Sequence, residues 1–288
     1  MINSPKISIV TVSYNQAEYL EHTINSVLSQ NYPNLEYIII DGGSDDGSLD
    51  IIKKYEKYFS YWISEKDSGM YDAIQKGFEN STGEIMAWIN SDDYYHPGSF
   101  NVVSEIFSSF PEVEWLQGIP SAIDEKNRTV YVRQFRKWSK FDFYMNDTDH
   151  IQQESTFWRR SLWEKVGSKL NTDLKYAGDY ELWLRFFDFA RLYCTKTILG
   201  AFRMRSKNQL SIDKMKDYNS EVKKSLDKRL TKLSEEEIVA LNFLGKRNQY
   251  SFLNLNLNRH KKQKIKNEIL NCPPAIVFNW KKNAFVFE

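Results

Sequence analysis

The chain has 288 residues, 41% of them hydrophobic and 15% aromatic, which is enough to fill a sizeable core and excludes a globally disordered protein. Lys and Arg (39) nearly balance Asp and Glu (38), so net charge offers no argument for a nucleic-acid partner. Cys194 and Cys272 stand far apart, which argues against a cysteine metal spacing and suits a reducing compartment.

Short β-branched runs alternate with helical patterns through the first part of the chain. Lys6 to Ser13 reads as a strand, and Leu20, Ile24, Val27 and Leu28 then recur at helical spacing until Pro33 breaks the pattern. Tyr37 to Asp41 reads as a second strand, Leu49 to Tyr58 as a helix, Tyr61 to Ser64 as a third strand and Tyr71 to Phe78 as a helix. Glu84 to Ile89 follows as a fourth strand, Phe100 to Phe107 as a helix and Glu114 to Gln117 as a fifth strand. Such alternation predicts an α/β fold, a mainly parallel sheet flanked by helices, with ligands bound beyond the carboxyl ends of the strands. No apolar run approaches the roughly 18 residues of a membrane span and no charged leader precedes an apolar core. A soluble, cytoplasmic protein is therefore expected, with membrane contact no more than peripheral.

The polar motifs fall at those strand ends. Ser13-Tyr14-Asn15 follows the first strand, Asp41-Gly42-Gly43-Ser44 the second, Glu65-Lys66-Asp67 the third and Ser91-Asp92-Asp93 the fourth. Clusters at the same end of successive strands converge on one crevice if the predicted sheet forms. The stretch from Asp41 to Ser48 has two readings. It is a turn with a helix cap from Asp46 or Ser48, or Asp41 accepts a hydrogen bond from a nucleobase while the glycines admit a ligand to the backbone. A calcium loop does not match, because glycine falls at the seventh position from Asp41 and Ile52 stands at the twelfth.

Asp92 and Asp93 follow the apolar run Ile85 to Ile89 after only Asn90 and Ser91. Adjacent acids there repel each other and cost desolvation, so they persist most easily in front of a cation. Hard oxygen ligands suit Mg²⁺ or Mn²⁺, with a diphosphate completing the shell. The alternative is a loop that caps the helix near Ser99.

Three segments, in this order and spacing, carry a specific resemblance: ISIVTVSYNQAEYLEHTINSVLSQNYPNLEYIIIDGGSDDGS, WISEKDSGMYDAIQKGFENSTGEIMAWINSDD and AGDYELWLRF. Over roughly residues 5 to 211 the chain resembles the inverting glycosyltransferases of family 2, of the bacterial surface-polysaccharide type, with the Rossmann-like GT-A fold. The resemblance implies a nucleotide-diphospho-sugar donor cradled by Thr11, Ser13, Tyr14 and Asn15. Asp41 would contact the base, Gly43 and Ser44 would lie beside it, and UDP or dTDP is favoured. Lys66 and Asp67 occupy the place of a common Arg-Asn pair. Asn90-Ser91-Asp92 occupies the Asp-x-Asp position with Asn as its first member, so Asp92 is the expected main Mn²⁺ or Mg²⁺ ligand, assisted by Asp93.

A sugar hydroxyl needs a base to attack at neutral pH, and the resemblance implies Asp179, in a place where relatives carry Glu-Asp and this chain has Gly178-Asp179. Read from the residues alone, Asp179 is equally an N-cap for the helix from Tyr180 to Phe187. The two roles are compatible, since a helix N-terminus keeps a carboxylate ionised. The implied reaction is a single displacement with inversion, onto a glycan or a lipid-linked acceptor.

Gln152, Gln153 and Glu154 resemble an acceptor-side strand, or form a polar edge strand. Trp138, Phe141, Phe143 and Tyr144 are sugar-stacking or core residues. Arg205 is placed to hold diphosphate in a bidentate way, unless Arg203 and Arg205 mark a solvated basic strand.

Beyond Ser211 the resemblance ends, dividing the chain into a catalytic domain, 1–211, and a small, locally basic helical appendage, 212–288. Val222, Leu226, Leu230 and Leu233 recur at helical spacing, Ser234 and Glu237 form a capping box for a second helix, and Gly245 is its expected stop. The appendage is expected to pack on the catalytic domain or on a second copy in a homodimer. The basic run Arg259, His260, Lys261, Lys262, Lys264 and Lys266 is a solvated face or a contact with anionic lipid at the inner face of the membrane. Two rival functions stand beside transfer. A nucleotidyltransferase needs a Gly-rich basic phosphate loop after the first strand, which Ser13-Tyr14-Asn15 does not supply. An inactive nucleotide-sugar-binding or scaffold subunit would keep the fold without turnover; Asp41, Asp92 and Asp179 argue against it and Asn90 and Gly178 for it.

Overall fold

The computed structural model describes residues 4–145, 150–207, 209, 213–249 and 271–288. Strand β1 (Ile7–Ser13) is buried along its whole length. A run without polar alternation needs cover on both faces, so it takes the middle of the sheet. It pairs in parallel with β2 (Leu35–Asp41) on one side and β4 (Ile85–Asn90) on the other, and β3 (Tyr61–Ser64) extends the sheet beyond β2. In this register Ser13 lies beside Asp41, Asp41 beside Ser64 and Val12 beside Asn90. The carboxyl ends of the first four strands are therefore level.

On the far side of β4 comes β9 (Thr156–Arg159), antiparallel to it and to β6 (Trp115–Gln117), followed by the parallel β10 (Leu192–Thr195). The sheet continues through β12 (Ala275–Asn279), parallel to β10, and the antiparallel β13 (Ala284–Phe287), for nine strands among the described residues. The expected α/β class holds. The C-terminal extension expected to be helical also carries strands, since residues 275–287 return to the main sheet as an edge hairpin. Its residues AIVFN and AFVF are β-branched and aromatic, and Asn283 turns between them at φ 48°. A second sheet of four strands, in the order β5 (Tyr94–Tyr95), β11 (Gly200–Arg203), β7 (Ser121–Ile123) and β8 (Thr129–Val132), stands next to the end of β4.

Helices α1 (Ala17–Leu28), α2 (Ser48–Tyr55), α3 (Met70–Glu79) and α4 (Ser99–Ser109) follow the first strands, and α1 buries Leu20, Ile24 and Val27 at the spacing the sequence predicts. Shorter helices α5 (Lys140–Tyr144) and α6 (Arg160–Lys165) flank β9 in the chain. Helix α7 (Gly178–Phe186) is fixed to the sheet by tryptophans. Trp183 stacks on Trp88 of β4 with centroids 5.9 Å apart and an interplanar angle of 15°, and both meet Trp158 edge-on. Such pairs each contribute about 1 kcal/mol beyond their buried area. Trp138, Phe141, Phe143 and Tyr144 are all buried, so they belong to the core and form no open sugar platform.

Helix α8 (Met215–Leu230) buries Val222 and Leu226. The capping box before α9 (Glu235–Gln249) forms as expected: Glu237 N–H donates to Ser234 Oγ at 3.2 Å and Ser234 N–H to Glu237 Oε2 at 2.9 Å. Helix α9 continues past Gly245 to Gln249, so that glycine is not the stop; inside a helix it costs only about 1 kcal/mol. The basic run from Arg259 to Lys266 lies outside the described residues. Among the described residues no helix is long and apolar enough to cross a membrane.

Candidate active site

The loops after β1 and β2 brace each other. Asn15 adopts the left-handed conformation (φ 51°), its N–H donates to Ser44 Oγ at 2.8 Å, and its Oδ1 accepts from Asp45 N–H at 3.0 Å. Asp41 is fully buried, and its Oδ2 accepts from Gly43 N–H, Ser44 N–H and Ser64 Oγ, its Oδ1 from Ser44 Oγ at 2.6 Å. Asp41 thus shapes the loop that was expected to present it to a base, with one oxygen carrying a single donor. Gly43 takes φ +80°, and a Cβ on Gly42 would come within 2.8 Å of Asp67 Oδ2, so the loop after β3 closes against the loop after β2. Lys66 is exposed there, and Tyr14 stands 63% exposed above the same edge. Thr11 differs from expectation. It is mid-strand and buried, with its hydroxyl 3.1 Å from Tyr37 Oη, so it supports the cradle from beneath. Asp46 serves two helices, accepting from Ala17 N–H (2.8 Å) and Ser48 N–H (3.0 Å), while the residue at the cap of α2 is Gly47.

Beyond β4 the acids separate. Asp92 Oδ2 forms an ion pair with Arg205 Nη2 at 2.9 Å, and burial raises its pKa against the lowering pull of Arg205 and Arg203. Asp93 turns inward. Its Oδ1 accepts from Arg203 N–H at 2.9 Å, its Oδ2 from Asn90 Nδ2 at 3.1 Å, and the Glu154 carboxyl lies beside it. Burial, then Glu154 and Asp92, hold Asp93 well above the usual carboxylate range. Glu154 is pushed up to about 7, chiefly by burial, with the charges of Asp179 and Asp92 adding to the rise. The expectation that Asp93 assists at a metal is therefore corrected, because its oxygens are already committed to internal partners.

Gln152 and Gln153 are corrected as well. With Glu154 they form a buried turn ahead of β9 instead of an edge strand. Gln152 pairs through its amide with the backbone of Ser121, and Gln153 Nε2 donates to the Trp88 carbonyl. Nor is the segment of Arg203 and Arg205 a solvated strand. Arg203 is fully buried and holds the Asp92 carbonyl (2.6 Å), the Asp124 carbonyl and Asn127, so its side chain ties the acid loop to the turn between β7 and β8.

Asp179 is the second residue of α7 and makes no side-chain cap; Ala177 stands at the cap. It keeps a part-exposed edge but is otherwise surrounded by protein, and burial raises its pKa to about 6 despite lowering contacts from the Tyr180 backbone and Tyr71. Tyr71 Oη lies 3.4 Å from Asp179 Oδ1 and donates at 3.0 Å to the Tyr176 carbonyl. Helix α7 is locked to β4 through Trp183 and Trp88, and Asp179 at its start lies near enough to Glu154 for its charge to raise that group's pKa. Tyr71 and the pairing of Glu154 with Asp93 were not singled out by sequence reasoning, and Arg203 was named only beside Arg205 in a basic segment. Tyr71 lies in one of the resembling segments, but no signal there distinguishes its role.

The donor set can be tested for a divalent cation. Asp92 is a hard oxygen ligand at the strand ends, and Asn90 Oδ1 and Ser13 Oγ are buried there without a hydrogen-bond partner, as is Arg205 Nε. Orphaned polar atoms of this kind point to a polar ligand. Mg²⁺ and Mn²⁺ commonly take one protein carboxylate with substrate phosphates, so Asp92 fits the ion. Among the described residues no group of three or more acid, His or Cys side chains is placed to cage one by itself.

Sheet order, level strand ends and the acids beyond β4 define a GT-A glycosyltransferase. The sequence profile of glycosyl transferase family 2 matches residues 8–172, and the chain belongs to that family. An uncharacterized glycosyltransferase of Rickettsia prowazekii (strain Madrid E) is 27% identical over 248 residues, 83% of this chain and 76% of its own. Among solved structures, S. aureus TarS 1-349 in complex with UDP-GlcNAc is similar at a TM-score of 0.67 and 18% identity, over 92% of this chain and 79% of that one. The mannosyltransferase PcManGT from Pyrobaculum calidifontis in complex with GDP-Man and Mn²⁺ gives a TM-score of 0.54 at 14% identity, over 93% of this chain and 85% of that one.

Proposed function

We propose that the protein is an inverting glycosyltransferase that moves a sugar from a nucleoside diphosphate, UDP or dTDP favoured, to a hydroxyl of a glycan or lipid-linked acceptor. The observation that carries this reading is Asp179, a carboxylate at the start of α7 whose pKa of about 6 leaves it ionised at neutral pH yet more basic than a free one. Asp179 takes the proton of the acceptor hydroxyl while that oxygen attacks the anomeric carbon. The bond from that carbon to the diphosphate oxygen breaks, and the nucleoside diphosphate leaves from the opposite face. A positioned base contributes about 10²- to 10⁴-fold to such a step.

Ser13, Tyr14, Asn15 and the loop of Asp41, Gly43 and Ser44 would hold the nucleoside, with Lys66, Asp67 and Ser91 along the diphosphate and sugar. Arg205 would lend positive charge to the same diphosphate. Asp92 would hold Mn²⁺ or Mg²⁺, which when bound neutralises charge developing on the leaving group. TarS in complex with UDP-GlcNAc and PcManGT with GDP-Man and Mn²⁺ support a nucleotide-sugar donor and a divalent ion for this fold. A lipid-linked acceptor would bring the chain to the inner face of a membrane. A binding screen of nucleoside diphosphates with and without Mn²⁺ tests the donor reading: one diphosphate should bind tightly only with metal. Asp179→Asn should abolish transfer and retain that binding; retained turnover would remove Asp179 from the role.

A further inference from the structure

Helix α8 reaches the segment that carries the base. Glu221, midway along it, accepts three backbone N–H groups from the segment that leads into α7: Lys175 on Oε1 at 3.0 Å, and Tyr176 and Ala177 on Oε2 at 2.9 Å each. The N–H groups before a helix lack partners of their own and favour an anion, so one carboxylate satisfies them and complements the helix dipole. The next link is the Tyr176 peptide. Its N–H is held by Glu221, and its carbonyl accepts the hydroxyl proton of Tyr71 at 3.0 Å. A phenol has one proton to donate. With that proton directed to Tyr176, Tyr71 Oη meets Asp179 Oδ1 only at 3.4 Å and accepts from Asp179 N–H at the same distance.

We propose that Glu221 is a positioning residue for the base: it fixes the Tyr176 carbonyl, which takes the shorter hydrogen bond from Tyr71 and leaves Asp179 only the weak one at 3.4 Å, so that the carboxylate stays free to accept a proton from the acceptor. The proposal rests on the reading of Asp179 as the base. The chain of contacts runs Glu221, Tyr176, Tyr71, Asp179, from the middle of helix α8 to the reacting group. Loss of Glu221 releases the Tyr176 peptide, and the Tyr71 hydroxyl then turns onto Asp179 Oδ1. A hydrogen bond to the charged form stabilises it, so the base becomes weaker. Among the described residues, the other titratable groups that act on Asp179 from packed elements are Glu154 in the turn before β9 and Tyr218 on α8. Neither is altered by the substitution.

The test is a pH titration of the Asp179 carboxyl by ¹³C NMR on the full chain labelled at aspartate side chains, with Asp179→Asn supplying the assignment. The wild-type midpoint is expected at about 6. In Glu221→Ala it should fall by about one unit, and Tyr71→Phe combined with Glu221→Ala should show the midpoint of Tyr71→Phe alone. Glu221→Gln keeps one acceptor oxygen and should give a smaller fall of the same sign, which decides the matter if the alanine variant does not fold. An unshifted midpoint in the folded variant, or an equal fall in the Tyr71→Phe background, overturns the proposal. Transfer by Asp179→Asn judges the base reading separately, since the titration needs no turnover.

Discussion

Gly178 lies against the ring of Tyr71, so closely that a Cβ built on it would meet ring carbons at 2.7 and 2.8 Å. A side chain at this place has no room unless Tyr71 moves. Gly178→Ala is therefore expected to displace Tyr71 and, with it, the support of Asp179. Overpacking of this kind costs about 1–3 kcal/mol. A urea denaturation midpoint should fall accordingly, and kcat should drop more than donor KM changes. Wild-type values for both would show that the ring yields without consequence.

That glycine also shows where the sequence speaks and where it is silent. Read in one dimension, Gly178 is a gap beside Asp179; in three it is the condition for a tyrosine about a hundred residues earlier in the chain to reach Asp179. The first four strands were legible because their apolar runs and polar ends repeat with regular punctuation, and their parallel register follows from that. The edge strands at 275–287 were not, since short strands far along the chain carry no mark of the sheet they will join. The roles of Asp92 and Asp93 were not separable either. Neighbouring residues at a strand end point to different sides, and only the positions of Arg205, Arg203 and Glu154 decide which acid faces the crevice.

The reaction should depend on pH through Asp179. The base must be ionised, so kcat/KM for the acceptor is expected to rise with pH through about 6 and level off above it. Stability responds in the opposite sense. The folded pKa is raised above the unfolded value of about 3.9, so this group's contribution is full below that value and is lost as pH rises through about 6. Asp179→Asn should accordingly resist urea better than the wild type at pH 8 while transferring no sugar. An active-site acid that did not oppose folding would leave the two proteins equal there.

Glu36 makes the converse case far from the chemistry. Buried at the start of β2, it pairs with Lys6 at 2.7 Å and accepts from Ser8 Oγ, Thr82 N–H and Thr82 Oγ1, tying β2 to the loop that enters β4. Against the cost of burial, Lys6, Ser8 and Thr82 lower its pKa to about 2. Its contribution is present above the unfolded value of about 4.3 and is lost as pH falls towards 2. Glu36→Ala leaves buried donors without an acceptor and should cost about 3 kcal/mol at pH 7. The gap between variant and wild type in urea should narrow steadily when the measurement is repeated towards pH 3.

Arg205 and the proposed metal compete for one carboxylate. The guanidinium is nearly buried, 2.9 Å from Asp92 Oδ2, with its Nη1 on Gln16 Oε1 and its face over the Tyr19 ring. Two cations on Asp92 repel each other unless a diphosphate lies between them to draw the arginine away. Arg205→Ala should therefore change two affinities in opposite directions. Mn²⁺ binding to the nucleotide-free protein should tighten by about tenfold, equivalent to about 1.4 kcal/mol, as the competing charge is removed. Binding of UDP in the presence of Mn²⁺ should weaken, because a bidentate donor to the diphosphate is gone. Electron paramagnetic resonance titrations of Mn²⁺, with and without UDP, read both quantities on the same samples. Weaker Mn²⁺ binding without nucleotide would mean that Arg205 holds Asp92 in place for the metal instead of competing with it.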